Sequence, residues 1–144
     1  MLRGRPALGI LCFVSFLALK TQAAQRSCTK DIIKRVQTLI DQAPDVVLLD
    51  VRLYTPTTED FEKCRSSNLK CFADEIKVLC EEWKTVGVLI EKFKLDTKLE
   101  KLATFFNQTE AACRQCELFK KQNATMFLSD LKSALQMMNQ QFCE

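Results

Sequence analysis

The sequence predicts an all-α fold: a short-chain four-helix bundle whose helices run up, up, down and down, with a short strand in the first crossover. Apolar residues recur at spacings of three and four in four separate stretches, the period of helices that bury one face. Long connections separate the first stretch from the second and the third from the fourth. Antiparallel neighbours in a bundle need only about 2–8 connecting residues, so connections this long cross the bundle and leave the helices they join parallel. Glycine and proline number three each in 144 residues, too few for a fold built from turns.

The chain opens with Arg3 and Arg5, an apolar run from Ala7 to Leu19, and small residues at Thr21 and Ala23. This is the layout of a secretory leader and its cleavage site. The run spans 13 residues, whereas a membrane span needs about 20. Residues 1–23 are therefore assigned to a signal peptide and residues 24–144 to one mature domain, secreted and extracellular. Arg3, Arg5 and Lys20 leave with the leader and no acidic residue does, so 18 basic residues face 18 acidic ones. A neutral chain lacks the footprint for nucleic acid or a membrane surface. The absence of histidine excludes histidine-based nucleophilic sites, histidine-ligated zinc and the histidine general base. No enzyme motif is visible, and no cofactor is implied.

The first helix starts at Thr29, which is able to cap, with Asp31 in the first turn. Ile32, Ile33, Val36, Leu39 and Ile40 follow at helical spacing, and Pro44 ends the helix. From Val46 to Thr55, Val47, Leu49, Val51 and Leu53 alternate with their neighbours as in an extended strand. The second helix covers about residues 67–84, with Leu69, Phe72, Ile76, Leu79 and Trp83 on its buried stripe. A third helical region follows after little more than a tight link. Val86, Leu89, Ile90 and Phe93 form one face, and Leu95, Leu99, Leu102 and Phe106 another. The register shifts near Asp96, where Thr97 and Glu100 have the spacing of a capping box, so the third helix is kinked or split. Residues 107–121 form the second polar connection. The last helix carries Leu128, Leu131, Leu135, Met138 and Phe142.

Of eight cysteines, Cys12 lies in the leader and seven remain. Cys64, Cys71, Cys113 and Cys116 suggest a disulfide clamp, with three pairings open. Cys113 and Cys116 could instead form a zinc or redox pair. That would need two further ligands or a βαβ setting, and a secreted chain favours disulfides. In this topology the start of the first helix meets the end of the last, which makes a Cys28–Cys143 bond plausible. Cys80, beside Leu79, is the odd thiol and is expected to be buried and structural. Asn107 and Asn123 each begin an N-glycosylation sequon. Glu75, Glu81 and Glu82, interleaved with Lys70, Lys77 and Lys84, read by themselves as a solvated helix face. Paired carboxylates could serve a glycosidase, but that chemistry also needs a sugar cleft.

At Leu53-Tyr54-Thr55-Pro56, Cys64-x6-Cys71-Phe-x-x-Glu75 and Asn107-x-Thr-Glu-x-x-Cys113-x-x-Cys116-Glu117 the chain resembles the interleukin-2/interleukin-15 cytokine family, closest to its interleukin-15 and interleukin-15-like members. The resemblance extends to Phe127-Leu128 and Gln136-Met137 and covers nearly all of the mature chain. It implies Cys64–Cys113 and Cys71–Cys116 bonds in a short-chain four-helix cytokine. It also implies a monomer that binds a sushi-domain alpha receptor through Tyr54, Glu75, Val78 and Glu82. A shared beta chain and a common gamma chain would complete the assembly, with Gln136 at the gamma-contacting position, and membranes would be met only through these receptors. The acid used toward the beta chain aligns with Ile32, so Asp31, one residue earlier, is the beta-contact candidate. Cys28, Cys80 and Cys143 exceed the interleukin-15 pattern. The alternative is a disulfide-stabilised helical secreted protein that carries lipid in an expandable apolar interior.

Overall fold

The computed structural model describes residues 29–42, 50–106 and 112–142. The predicted leader, the first part of the predicted strand, the Cys28–Cys143 pair and Asn107 lie outside those residues. In chain order the elements are α1 (Lys30–Gln42), β1 (Arg52–Tyr54), α2 (Thr58–Lys63), α3 (Arg65–Lys84), α4 (Leu95–Phe105), β2 (Lys121–Asn123) and α5 (Ala124–Phe142). Two 3-10 turns lie at Glu91–Phe93 and Cys116–Leu118.

Helix directions follow from the bonds between helices. Thr29 at the head of α1 donates its hydroxyl to the Leu135 carbonyl of α5 at 2.7 Å, and Lys132, earlier in α5, donates to Gln37 further along α1, so α1 and α5 are antiparallel. Ser66 at the start of α3 donates to the Ala103 carbonyl near the end of α4, and Lys77 pairs with Glu100 further along. Arg35 donates to the Phe93 carbonyl just ahead of α4, and Asp31 pairs with Lys98 within it. Arg65 reaches Gln141 at the far end of α5. Helices α1 and α3 thus run one way, α4 and α5 the other: the up-up-down-down bundle.

The four longer helices bury the stripes that their apolar spacing predicts: Ile32, Val36 and Leu39 on α1; Leu69, Phe72, Ile76, Leu79 and Trp83 on α3; Leu95, Leu99 and Leu102 on α4; and Leu128, Leu131, Leu135 and Met138 on α5. Phe72 occupies the junction of three elements. Its ring centroid lies 6.4 Å from that of Phe61 on α2 and 5.5 Å from that of Phe127 on α5, both tilted.

Three expectations are corrected. The first crossover holds a helix, α2, besides its strand: the Thr57 hydroxyl accepts the Asp60 N–H at 3.1 Å, and Phe61 anchors the turn in the core with no exposed surface. The second crossover holds β2, which pairs antiparallel with β1, Arg52 opposite Asn123, Leu53 opposite Gln122 and Tyr54 opposite Lys121. The third helix does not follow closely on the second. Gly87 adopts φ +83°, the Val88 N–H returns to the Trp83 carbonyl and the Gly87 N–H to the Lys84 carbonyl, the Schellman arrangement that stops a helix. Val86 and Leu89 are consequently exposed. Helix α4 then begins at Leu95, after Lys94 at φ 52°, and Glu100 turns to Lys77 instead of capping at Thr97.

Cys64 is bonded to Cys113 with their Cα atoms 6.0 Å apart, and Cys71 to Cys116 at 5.3 Å. Both bonds fasten the second crossover to the N-terminal half of α3. Truncating the aromatic junction tests how much of the core depends on it. Phe72→Ala should lower unfolding free energy by about 3–5 kcal/mol. Val86→Ala, at an exposed site, should stay within about 0.5 kcal/mol, both read from urea midpoints by circular dichroism.

Candidate functional site

The candidate site is built where the two-stranded sheet lies on α3. Side chains directly opposite one another in an antiparallel pair share a face, and the face alternates along each strand. Leu53 points into the core with no exposed surface, which leaves Arg52, Tyr54, Lys121 and Asn123 on the outward face. The Lys121 ammonium sits 4.8 Å from the Tyr54 ring centroid, a cation–π contact. Arg52 reaches over the ladder to the Lys121 carbonyl.

Glu75 joins this face to the helix. Its Oε1 accepts the Tyr54 backbone N–H at 2.7 Å, although the residue is only 9% exposed. Burial pushes the carboxyl's pKa up, the Tyr54 N–H and the Lys121 ammonium draw it back, and Asp74 adds to the rise. A short strand therefore gains an acceptor for an N–H that the β1–β2 ladder leaves over. Val78 and Glu82 follow Glu75 at steps of three and four, on the same side of α3, and both are exposed. The structure thus brings Tyr54 and Glu75 into contact and sets Val78 and Glu82 in line beyond them. Glu75 differs from the others because its charge is committed within the molecule.

The other candidates lie elsewhere on the bundle. Asp31 is exposed on α1 and pairs with Arg35 at 3.1 Å and Lys98 at 3.6 Å; the hydrogen bond from Arg35 is the main cause that holds its carboxyl below the usual range. Its neighbour Ile32 is in the core, so Asp31 is the acid this end of α1 presents. Gln136 is exposed on α5. Asn123 is exposed at the head of α5, where its Oδ1 accepts the Met126 N–H at 2.8 Å. Cys80 is half-buried and unbonded. Burial first, then the charges of Asp96, Glu91 and Glu81, push its thiol up to about 11. It lines an open cleft of about 440 Å³ whose wall is otherwise charged and polar, with Lys77, Glu81, Glu91, Lys94 and Asp96. Among the described residues no group of histidine, cysteine or acidic side chains could hold a metal ion.

Sequence reasoning missed Arg52 and Lys121 as members of the Tyr54 face. Arg52 stands two residues from Tyr54 in the predicted strand, so alternation already put it on that face, whereas only the strand register could have revealed Lys121, because Lys121-Gln122-Asn123 has none of the residues enriched in strands.

The raised pKa of Glu75 has a defined linkage sign. Folding favours its protonated form, so the stability present below the unfolded-state pKa is lost as pH rises through the folded-state value. Glu75→Gln removes this titration while keeping an oxygen for the Tyr54 N–H. The urea midpoint of the wild-type chain, relative to this variant, should fall as pH rises through and above the ordinary carboxylate range. A constant difference across that range would show that Glu75 is not the titrating group.

A family model described as Interleukin 15 matches residues 8–140. Interleukin-15 of Ovis aries is 28% identical over 120 residues, covering 82% of this chain and 70% of its own length. Interleukin-15 of Marmota himalayana is 29% identical with the same coverage. Interleukin-15 of Bos taurus is 27% identical over 130 residues, covering 89% of this chain and 76% of its own length. No solved structure matches significantly. With the parallel α1 and α3, the paired crossovers and the two disulfides described above, the match over residues 8–140 places this chain in the interleukin-15 family of helical cytokines.

Proposed function

We propose that residues 1–23 direct this cytokine into the secretory pathway and that the 24–144 domain acts outside the cell as a monomer. There it docks on a sushi-domain alpha receptor through the β1–α3 surface, with Tyr54, Val78 and Glu82 as contacts and Glu75 as the residue that positions Tyr54. The observation that carries this reading is the Glu75–Tyr54 hydrogen bond, which fixes the strand against the helix so that one surface presents both. A preorganised surface loses less entropy on binding than one that must order itself. Among the described residues no helix is long and apolar enough to cross a membrane.

The remaining faces serve two signalling chains. Asp31, on the α1 side that meets α4 through Lys98, contacts the beta chain, and Gln136, exposed on α5, contacts the common gamma chain. Bringing these chains together activates the Janus kinases attached to them and the STAT proteins downstream, and drives proliferation or survival of T and NK lymphocytes.

Surface-plasmon binding to a soluble sushi-domain alpha receptor from the same species tests the first step. Tyr54→Ala and Glu82→Lys should each weaken binding by about tenfold or more while helical circular dichroism is unchanged. Asp31→Lys and Gln136→Lys should leave alpha binding intact and abolish STAT phosphorylation in cells bearing beta and gamma chains. Folded wild-type chain that shows neither binding nor phosphorylation would overturn the proposal.

A further inference from the structure

We infer that Asn123 carries an N-linked glycan and that this glycan regulates access of the alpha receptor to the Tyr54 surface. The inference rests on the secretion and docking readings above and adds a control that neither contains. Its basis is the strand register. Asn123 is paired with Arg52, and Tyr54 with Lys121, so Asn123 is the diagonal neighbour of Tyr54 on the same outward face, with Cα atoms about 7–8 Å apart. A receptor footprint of about 800 Å² per partner, treated as a disc centred on Tyr54, has a radius of about 16 Å and includes Asn123. A glycan is bulky and strongly hydrated, so it competes with the receptor for that area.

The folded chain accommodates the modification. Asn123 and Thr125 of the sequon are both exposed. The α5 cap uses only Oδ1 of Asn123, and Nδ2 has no hydrogen-bond partner among the described residues. The co-reactant is an oligosaccharide carried on a lipid diphosphate. Nδ2 attacks C1 of its first sugar, the C1–N bond forms, and the bond from C1 to the diphosphate oxygen breaks with its electron pair leaving on the diphosphate. Nδ2 gives up one proton to a base of the transferase. The product amide retains the carbonyl oxygen, so the cap on Met126 survives.

The full chain is expressed in glycosylating cells, mapped by glycopeptide mass spectrometry, and separated into forms with and without a glycan at Asn123. Binding to the soluble sushi-domain alpha receptor is measured for both forms and for two variants. Thr125→Ala removes the sequon and leaves Asn123 and its cap in place; Asn123→Asp removes the sequon and keeps a capping carboxylate. Both variants and the unglycosylated form should bind about tenfold or more tightly than the glycosylated form, the scale expected when the centre of an interface is obstructed. An unmodified Asn123 in the glycopeptide map would overturn the inference. So would equal affinities with the site occupied, and in that case docking itself would stand. If Thr125→Ala is folded by circular dichroism and binds no alpha receptor, the docking reading fails and this inference fails with it.

Discussion

Two parallel helices at the start of a bundle oblige the chain to make long crossovers, and the attachment of one crossover to the other is the constraint on which this structure depends. A connection that travels the length of a bundle has few neighbours and a large ordering cost. Here the Cys64–Cys113 and Cys71–Cys116 bonds, with sequence separations of 49 and 45, tie the second crossover to α3. The β1–β2 pair then ties it to the first. Closing the larger loop restricts the unfolded chain by about 4 kcal/mol in the loop-entropy account, and the second closure adds less because the first already confines it. The order of the Tyr54 face follows from this clamp, since β2 lies within a few residues of Cys116.

The interior is largely legible in the sequence because helical burial repeats. Leu69, Phe72, Ile76, Leu79 and Trp83 mark α3 by spacing alone, and all five are in the core. Three features escaped for separate reasons. Helix α2 has only six residues, too few for a period to show, although its capping threonine and Phe61 were there to be read. Strand β2 is polar, and its existence depends on a partner about seventy residues away, a relation no local pattern encodes. The break after α3 was hidden by Val86, Leu89, Ile90 and Phe93, which imitate a helical face while Gly87 carries the stop signal.

The candidate site shows the same division. Tyr54, Glu75, Val78 and Glu82 came from motif resemblance, whereas Arg52 and Lys121, and the anchoring of Tyr54 by Glu75, came from geometry. Glu75, one acid among several on α3, differs from Glu81 and Glu82 only in being folded over by β1. Its carboxylate is therefore part of the scaffold that aims Tyr54, and removal of its charge and removal of the strand's anchor are separable effects. Isosteric and charge-reversing substitutions at this position measure different things.

Cys80 gives the fold a chemical property of its own. A thiol attacks disulfides as its thiolate, and with its pKa pushed up to about 11 only about one molecule in ten thousand carries that thiolate at pH 7. Unpaired sulfur in an oxidising compartment would ordinarily invite exchange with neighbouring bonds or with other chains. Burial and three nearby carboxylates therefore lower the nucleophilic fraction of Cys80 in the folded chain, which slows its exchange with the Cys64–Cys113 and Cys71–Cys116 bonds.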